Sequence, residues 1–266
     1  MIPASIYKYE SLSHQSLENL KAQGIYFGSP LKFNDPYDCA LFPNILTLSD
    51  QQIDQLRRKY LEDPRISEKA RNQLIEASLE LLRQSFMSTG HLAVNDLINL
   101  FLKSKGVACF SERNDDLLMW SHYGGHYKGF CLEFSTKFEP FEKLRKVTYR
   151  KDIPSVDIAP ILLTDNDDQI LDLFFTKSEA WSYEAEWRVV HNVVGTRYTY
   201  PEECLTGVYF GPDISDESME IICLILGGQN EIVSFWRGHR SKTEFSVLFE
   251  KFTYTSYLEA KRKGLL

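Results

Sequence analysis

The spacing of apolar and polar positions changes repeatedly along the chain, and each change marks an element. "SIYKYES" alternates and predicts a strand, "SHQSLENLKAQG" reads as a short helix closed by Gly24, and "IYFGSPLKFNDPYD" starts as a strand and breaks at its Gly, Pro and Asn-Asp-Pro signals. From Ser49 to about Phe86 the pattern is helical, with Ser49 or Asp50 as cap, Ile53, Leu56 and Tyr60 at helical spacing, and a break near Pro64. A further helix, "VNDLINLFLKSKG", closes on Gly106. Short β-like runs follow: "VACFS", "YKGFCLEFS", "LRKVTYR", "EWRVVHNVV", "GVYFG" and "SVLFEKFTYTSY". Two helical stretches interrupt them, "TDNDDQILDLFFTKSEAW" and "SDESMEIICLILGG". Strands and helices do not alternate regularly, so the expected class is α+β with a mixed, mostly antiparallel sheet. With no repeat, low-complexity tract or linker, residues 1–266 are expected to form one domain with a helical insertion at about 48–105.

Composition narrows this picture. The chain has 266 residues, 43% hydrophobic and 13% aromatic, enough for one large core or two smaller ones. A net charge of −7 disfavours a protein whose affinity comes from neutralising many phosphates. The N-terminus "MIPASIYKYE" has neither a basic nor an apolar leader region, and no run of about 18 apolar residues occurs, so a cytoplasmic protein without a membrane span is expected. Cys39, Cys109, Cys131, Cys204 and Cys223 are far apart and form no CxxC pair, which predicts buried free thiols.

Chemistry concentrates in four stretches. "YEAEWRVV", read as a strand, sends Tyr183, Ala185, Trp187 and Val189 to a core face and Glu184, Glu186, Arg188 and Val190 to the other. "MWSHYGGHYKGFCLEF" holds Trp120, His122, Tyr123, His126, Tyr127 and Lys128. The two histidines are four apart, a zinc-ligand spacing on a helix. Gly124 and Gly125 between them favour a turn packed by aromatics, and no metal is expected. "FNDPYD" puts Asn34, Asp35 and Asp38 around Pro36, a turn that would also aim a carboxylate. "CFSERNDD" ends a strand at Ser111, a site residue or a helix cap. No P-loop, Rossmann fingerprint or Gly-x-Ser-x-Gly elbow is present.

Taken in order, "YKYES", "YFGSPLKFNDPYD", "CFSERNDDLLMWSHYGGHYKGFCLEF" and "KSEAWSYEAEWRVV" resemble the bacterial family catalogued as domain of unknown function 2971, over about residues 5–255. A second resemblance is to the ADP-ribosyltransferases: an early strand of Tyr7, Lys8 and Tyr9, a strand ending in Ser, and a later Glu-x-Glu. It implies NAD as substrate, Lys8 or Tyr9 at the first-strand position, Ser111 positioning the dinucleotide, and Glu186 on the nicotinamide ribose 2′-hydroxyl. In place of the Arg or His of that superfamily, this strand carries only Tyr7, Lys8 and Tyr9. Glu184 would then orient the nucleophile, a protein or nucleic-acid target or water. Tyr26, Tyr123 or Trp120 would stack on the rings, and Arg188 or Lys128 would meet the pyrophosphate. Toxin and phage-defence effectors are the settings this implies. Two alternatives stand beside it: a non-catalytic nucleotide or peptide sensor, and a hydrolase or nuclease using Asp35, Asp38, His122 and Glu186.

Overall fold

The computed structural model describes residues 1–40, 42–230 and 232–264. The chain divides into two compact units, one of Met1–Ser29, Gly106–Val147 and Ala180–Leu266, the other of Pro30–Lys105 and Thr148–Glu179.

The first unit is built on an eight-stranded sheet. Its spatial order is Val247–Phe252, Ser234–Arg240, Leu205–Phe210, Phe130–Ser135, Ser5–Glu10, Gly106–Ser111, Glu186–His191 and Arg145–Lys146. Neighbours pair antiparallel except Leu205–Phe210 with Ser234–Arg240, which run parallel. The class is therefore α+β with a mixed, mostly antiparallel sheet.

Period-two alternation divides the sheet's residues between two faces. Ile6, Phe110, Leu132, Phe134, Trp187, Val208 and Phe210 pack on one, against Ile222, Cys223 and Leu226 of the helix Asp216–Gly227. That helix starts where Ser215 accepts a hydrogen bond from Ser218 N. Tyr9, Cys131 and Tyr209 pack on the other face, against Met119 and Trp120 of the helix Leu117–His122. The first face buries more apolar side chains, and it anchors the central strands whose opposite face carries the polar groups.

Three details differ from expectation. The His14–Lys21 helix ends through Gln23, which takes the left-handed conformation at φ 48°, while Gly24 begins the next strand. A Cβ on Gly24 would lie 2.6 Å from Arg197 Cγ, so the glycine is there for close approach. The strand Ser234–Arg240, "SFWRGHR", has polar or charged residues at Ser234, Arg237, His239 and Arg240, on both faces, and hides its period in sequence. Residues 183–185 are not strand at all: Glu179–Glu184 is a 3-10 segment and the strand begins only at Glu186.

The second unit is mostly helical. Asp50–Glu62, Glu68–Glu76 and Leu79–Ser104 are each capped by a serine, Ser49, Ser67 and Ser78, whose side chain accepts a backbone N–H. Tyr60 and Phe86 stack at 5.6 Å across the first and third. The separate helix expected from Val94 is the second half of a continuous 26-residue helix. Gly90 allows Ile158 to approach so closely that a Cβ would sit 2.2 Å from its Cδ1. Two short helices, Ala159–Thr164 and Asp168–Leu173, and two two-stranded parallel ladders complete the unit. No helix among the described residues is long and apolar enough to cross a membrane.

Candidate functional site

Four residues from distant parts of the sequence form one row across the first unit's sheet. Tyr7 is register partner to Glu133 on one side and Ser111 on the other, and Ser111 is partner to Glu186. Directly opposed residues project to the same face, so Glu133, Tyr7, Ser111 and Glu186 share the polar face. Lys8 does not: one residue out of phase, it belongs to the other face, where it pairs with Glu10 at 3.5 Å and lies over the Phe110 ring.

The charged face is buried. Glu184 is 2% exposed, Glu186 4%, and Arg188 and Ser111 0%. Arg188 Nε donates to Glu186 Oε1 at 2.7 Å and Nη2 to Oε2 at 2.8 Å, a bidentate pair within one strand. Residues two apart on a strand share a face, which is why this spacing permits it. The Ser111 hydroxyl donates to Glu184 O at 2.6 Å and accepts from Arg113 N at 3.0 Å, so it ties the chain entering one strand to the chain leaving another.

Glu184 stands just before the strand. Ala185 is left-handed at φ 44°, a conformation that costs a non-glycine residue about 1–3 kcal/mol and persists only when neighbours over-determine it. Here the neighbours are Glu112 N, which donates to Ala185 O at 3.1 Å, and Ser111 on Glu184 O. The turn redirects Glu184 so that Tyr123 Oη donates to its Oε1 at 2.6 Å. His122 is exposed, its ring 6.3 Å from that of Trp181 and 6.4 Å from that of Tyr183.

Beside the buried pair, Glu112 accepts from Lys146 Nζ at 2.8 Å and Trp187 Nε1 at 2.7 Å. Partial burial pulls its carboxyl upward, but the two hydrogen bonds and the lysine charge outweigh it and hold the group below the ordinary glutamate range. At the other end of the row, Tyr209 Oη donates to Glu133 Oε2 at 3.1 Å and Tyr7 Oη lies 3.5 Å from Oε1. Burial, then the Glu133 charge, pushes the Tyr7 phenol up to about 12, and the same causes hold Tyr209 well above its ordinary value. Both stay protonated donors at neutral pH.

The remaining sequence candidates scatter. Tyr9 shares the polar face but is buried edge-on against Trp120 at 5.1 Å. Trp120 is itself fully buried, its indole N–H donated to Asn114 O at 2.7 Å, so it offers no ring to a ligand. Tyr26 is exposed on a separate ribbon formed by Gly24–Tyr26 and Arg197–Thr199. Lys128 is exposed in the turn before Phe130–Ser135. The helix stops at His122, and His126 is left-handed at φ 54°, so the two histidines do not share a helical face. Among the described residues no group of three His, Cys, Asp or Glu side chains is arranged to hold a metal ion.

Asn34, Asp35 and Asp38 belong to the second unit. Asp35 Oδ1 accepts from Tyr37 N at 2.9 Å, the turn expected of Asn-Asp-Pro, and Asp38 is buried with Lys177 Nζ 3.3 Å from Oδ2. None of the five cysteines is in a disulfide; Cys39, Cys131, Cys204 and Cys223 are buried and Cys109 is half-buried.

Sequence reasoning missed Glu133, Tyr209 and Trp236. The signal was a lone glutamate in the apolar strand "FCLEFS", in phase with Cys131 on the face opposite Leu132 and Phe134.

Residues 119–189 match the family model described as "Protein of unknown function (DUF2971)". The matched segment holds the Trp120 to Glu133 stretch and the Glu184 to Val189 stretch, so it supports the family resemblance on two of its motifs. Within the matched segment lie Glu133, Glu184, Glu186 and Arg188. No curated protein and no solved structure matches the chain.

Proposed function

We propose that the chain is an ADP-ribosyltransferase-like enzyme that takes NAD as substrate and delivers ADP-ribose to a macromolecule or to water. The observation that supports this reading is the row of Tyr7, Ser111 and Glu186, three residues from separate segments set side by side on adjacent strands. They are the first-strand, serine and glutamate positions of that layout, with Tyr7 in the place assigned above to Lys8 or Tyr9.

Departure of nicotinamide leaves positive charge on the ribose, and a fixed carboxylate at the 2′-hydroxyl stabilises that charge without reorganising. Arg188 would hold the Glu186 side chain oriented. Its fork binds both carboxylate oxygens. Glu184, held by Tyr123, would orient the nucleophile. With Glu186 only 4% exposed, ligand entry on this reading displaces the side chains over it. A toxin or phage-defence effector acting on a protein or nucleic-acid target is the setting such chemistry suits.

A second reading is a non-catalytic nucleotide or peptide sensor. What favours it is that both Glu186 oxygens are engaged by Arg188 and the Ser111 hydroxyl is bonded in both directions, which suits a rigid scaffold more than a reacting group. Incubation with NAD, following both melting temperature and free nicotinamide, separates the two. The enzyme reading expects nicotinamide release that Glu186→Gln abolishes. The sensor reading expects ligand-dependent melting without turnover. Neither a shift nor turnover removes NAD from both.

A further inference from the structure

We propose that the cavity among the helices Asp50–Glu62, Glu68–Glu76 and Leu79–Ser104 is a binding site for a cationic amphiphile, an alkyl chain that ends in an ammonium group. The cavity lies wholly in the second unit, and the inference is independent of the NAD reading.

The room exists because one helix is thinly packed. In Glu68–Glu76, Ala70 and Leu74 are four residues apart and, with Ala77 three further on, form an apolar stripe. Such a stripe is ordinarily pressed against its neighbours, yet no residue of this helix is buried. The long helix contributes Leu82 and Phe86, which are buried, and Leu81, which is 58% exposed. The stripe and these three side chains line a cavity of about 740 Å³ that opens to solvent. That volume is within the range of about 300–1,000 Å³ in which small molecules are held. Packed interiors leave few gaps larger than a water molecule, so an apolar stripe that faces a space of this size lacks an apolar partner.

The end group of the ligand follows from charge. Of the residues that line the cavity, Glu76 alone is charged. Among the described residues it makes no ion pair, whereas Asp50 and Glu80 have Arg83 and Asp63 has Arg65. Glu76 is also the last residue of its helix, where the backbone dipole is negative and favours a cation. The helices His14–Lys21, Asp50–Glu62 and Leu79–Ser104 each carry a lysine in the last turn, and Glu68–Glu76 carries no basic residue there. Arg57 donates to Ile75 O, Arg71 to Leu61 O and Lys59 to Leu162 O, so these three cations are engaged with backbone carbonyls. Arg58 and Lys69 are exposed and do not line the cavity. A chain ending in a carboxylate would meet Glu76 with no lining cation to offset it. A chain ending in an ammonium would meet a carboxylate and the negative end of a helix.

Calorimetric titration of the full chain with decyltrimethylammonium, below the concentration at which it forms micelles, tests this beside decanoate and tetramethylammonium. The expected result is saturable binding of decyltrimethylammonium, about fivefold or more tighter than decanoate and at least about tenfold tighter than tetramethylammonium, which has the charge without the chain. Ala70→Phe fills the cavity at unchanged net charge and is expected to weaken binding at least about tenfold. Glu76→Gln is expected to weaken it about two- to fivefold, the scale of an exposed charge pair, while Glu68→Gln, which removes a charge from the other end of the same helix, leaves it unchanged. Absence of saturable binding, decanoate binding as tightly, tetramethylammonium binding as tightly, an unchanged affinity in a folded Ala70→Phe, or equal losses in the two glutamine variants overturns the proposal. The comparison of the three ligands uses the unmodified protein and decides even where a variant does not fold. It reads nothing from NAD turnover, so it succeeds or fails apart from the enzyme reading.

Discussion

Arg188 meets Glu186 from two residues along the same strand, its Nε and Nη2 on the two carboxylate oxygens at 2.7 and 2.8 Å, with both side chains buried. A pair formed within one strand needs no loop or partner element to bring it together. It follows directly from the Glu-x-Arg spacing once that strand is paired on both sides. Truncation of one member leaves the other charged and enclosed, which costs about 3–5 kcal/mol. Arg188→Ala is therefore expected to lower unfolding free energy by that amount in urea denaturation, and Glu186→Gln, which keeps hydrogen-bonding atoms but sets a neutral amide against the buried guanidinium, is also expected to lower it.

Trp187, between them in sequence, faces the opposite way into the main core and also donates its indole N–H to Glu112. Trp187→Ala is expected to cost about 3–5 kcal/mol, as truncation of large buried aromatics does. Trp187→Phe keeps most of the packing and loses the hydrogen bond. Equilibrium unfolding of both variants apportions the two contributions. Equal losses would mean that the hydrogen bond carries the effect.

Tyr7 and Glu112 predict opposite pH behaviour. The Tyr7 phenol is raised in the folded state to about 12 from 10.0, so its contribution is complete below the lower value and is lost as pH rises through the higher. Glu112 is lowered, so its contribution is present above the ordinary glutamate range and is lost as pH falls through its depressed value. Tyrosinate absorbance during alkaline titration is expected to show Tyr7 among the late phenols, a component absent from Tyr7→Phe. Glu112→Gln is expected to flatten the acid side of the stability profile.

Much of this was legible in the sequence because local signals agreed with tertiary ones. "SIYKYES", which alternates with period two, and the β-like "YKGFCLEFS" became paired strands, and Ser49 caps a helix where expected. What remained hidden has physical causes. At 183–185 a β-like pattern continued through Ala185, but a left-handed residue, tied down by Ser111 and Glu112, ends the extended chain there and moves Glu184 off the strand. Nothing local signals φ 44° at an alanine. Lys8 looked as suitable as Tyr7 or Tyr9 until register fixed its face, since a one-residue difference in phase is a change of side. Glu133 escaped notice because its importance comes from Tyr7 and Tyr209, 126 and 76 residues away. A row assembled from distant strands is visible only when the pairing is known.

On the proposed function, Glu186 acts on the ribose of NAD. The most direct measurement is the rate of nicotinamide release by the wild-type chain and by Glu186→Gln, with circular dichroism establishing that both are folded. The claim predicts measurable release by the wild type and a loss of about a hundredfold or more in the variant, the scale of removing one preorganised electrostatic contact. No release from a folded wild type that lacks an NAD-dependent melting shift, or equal release by both proteins, would contradict it.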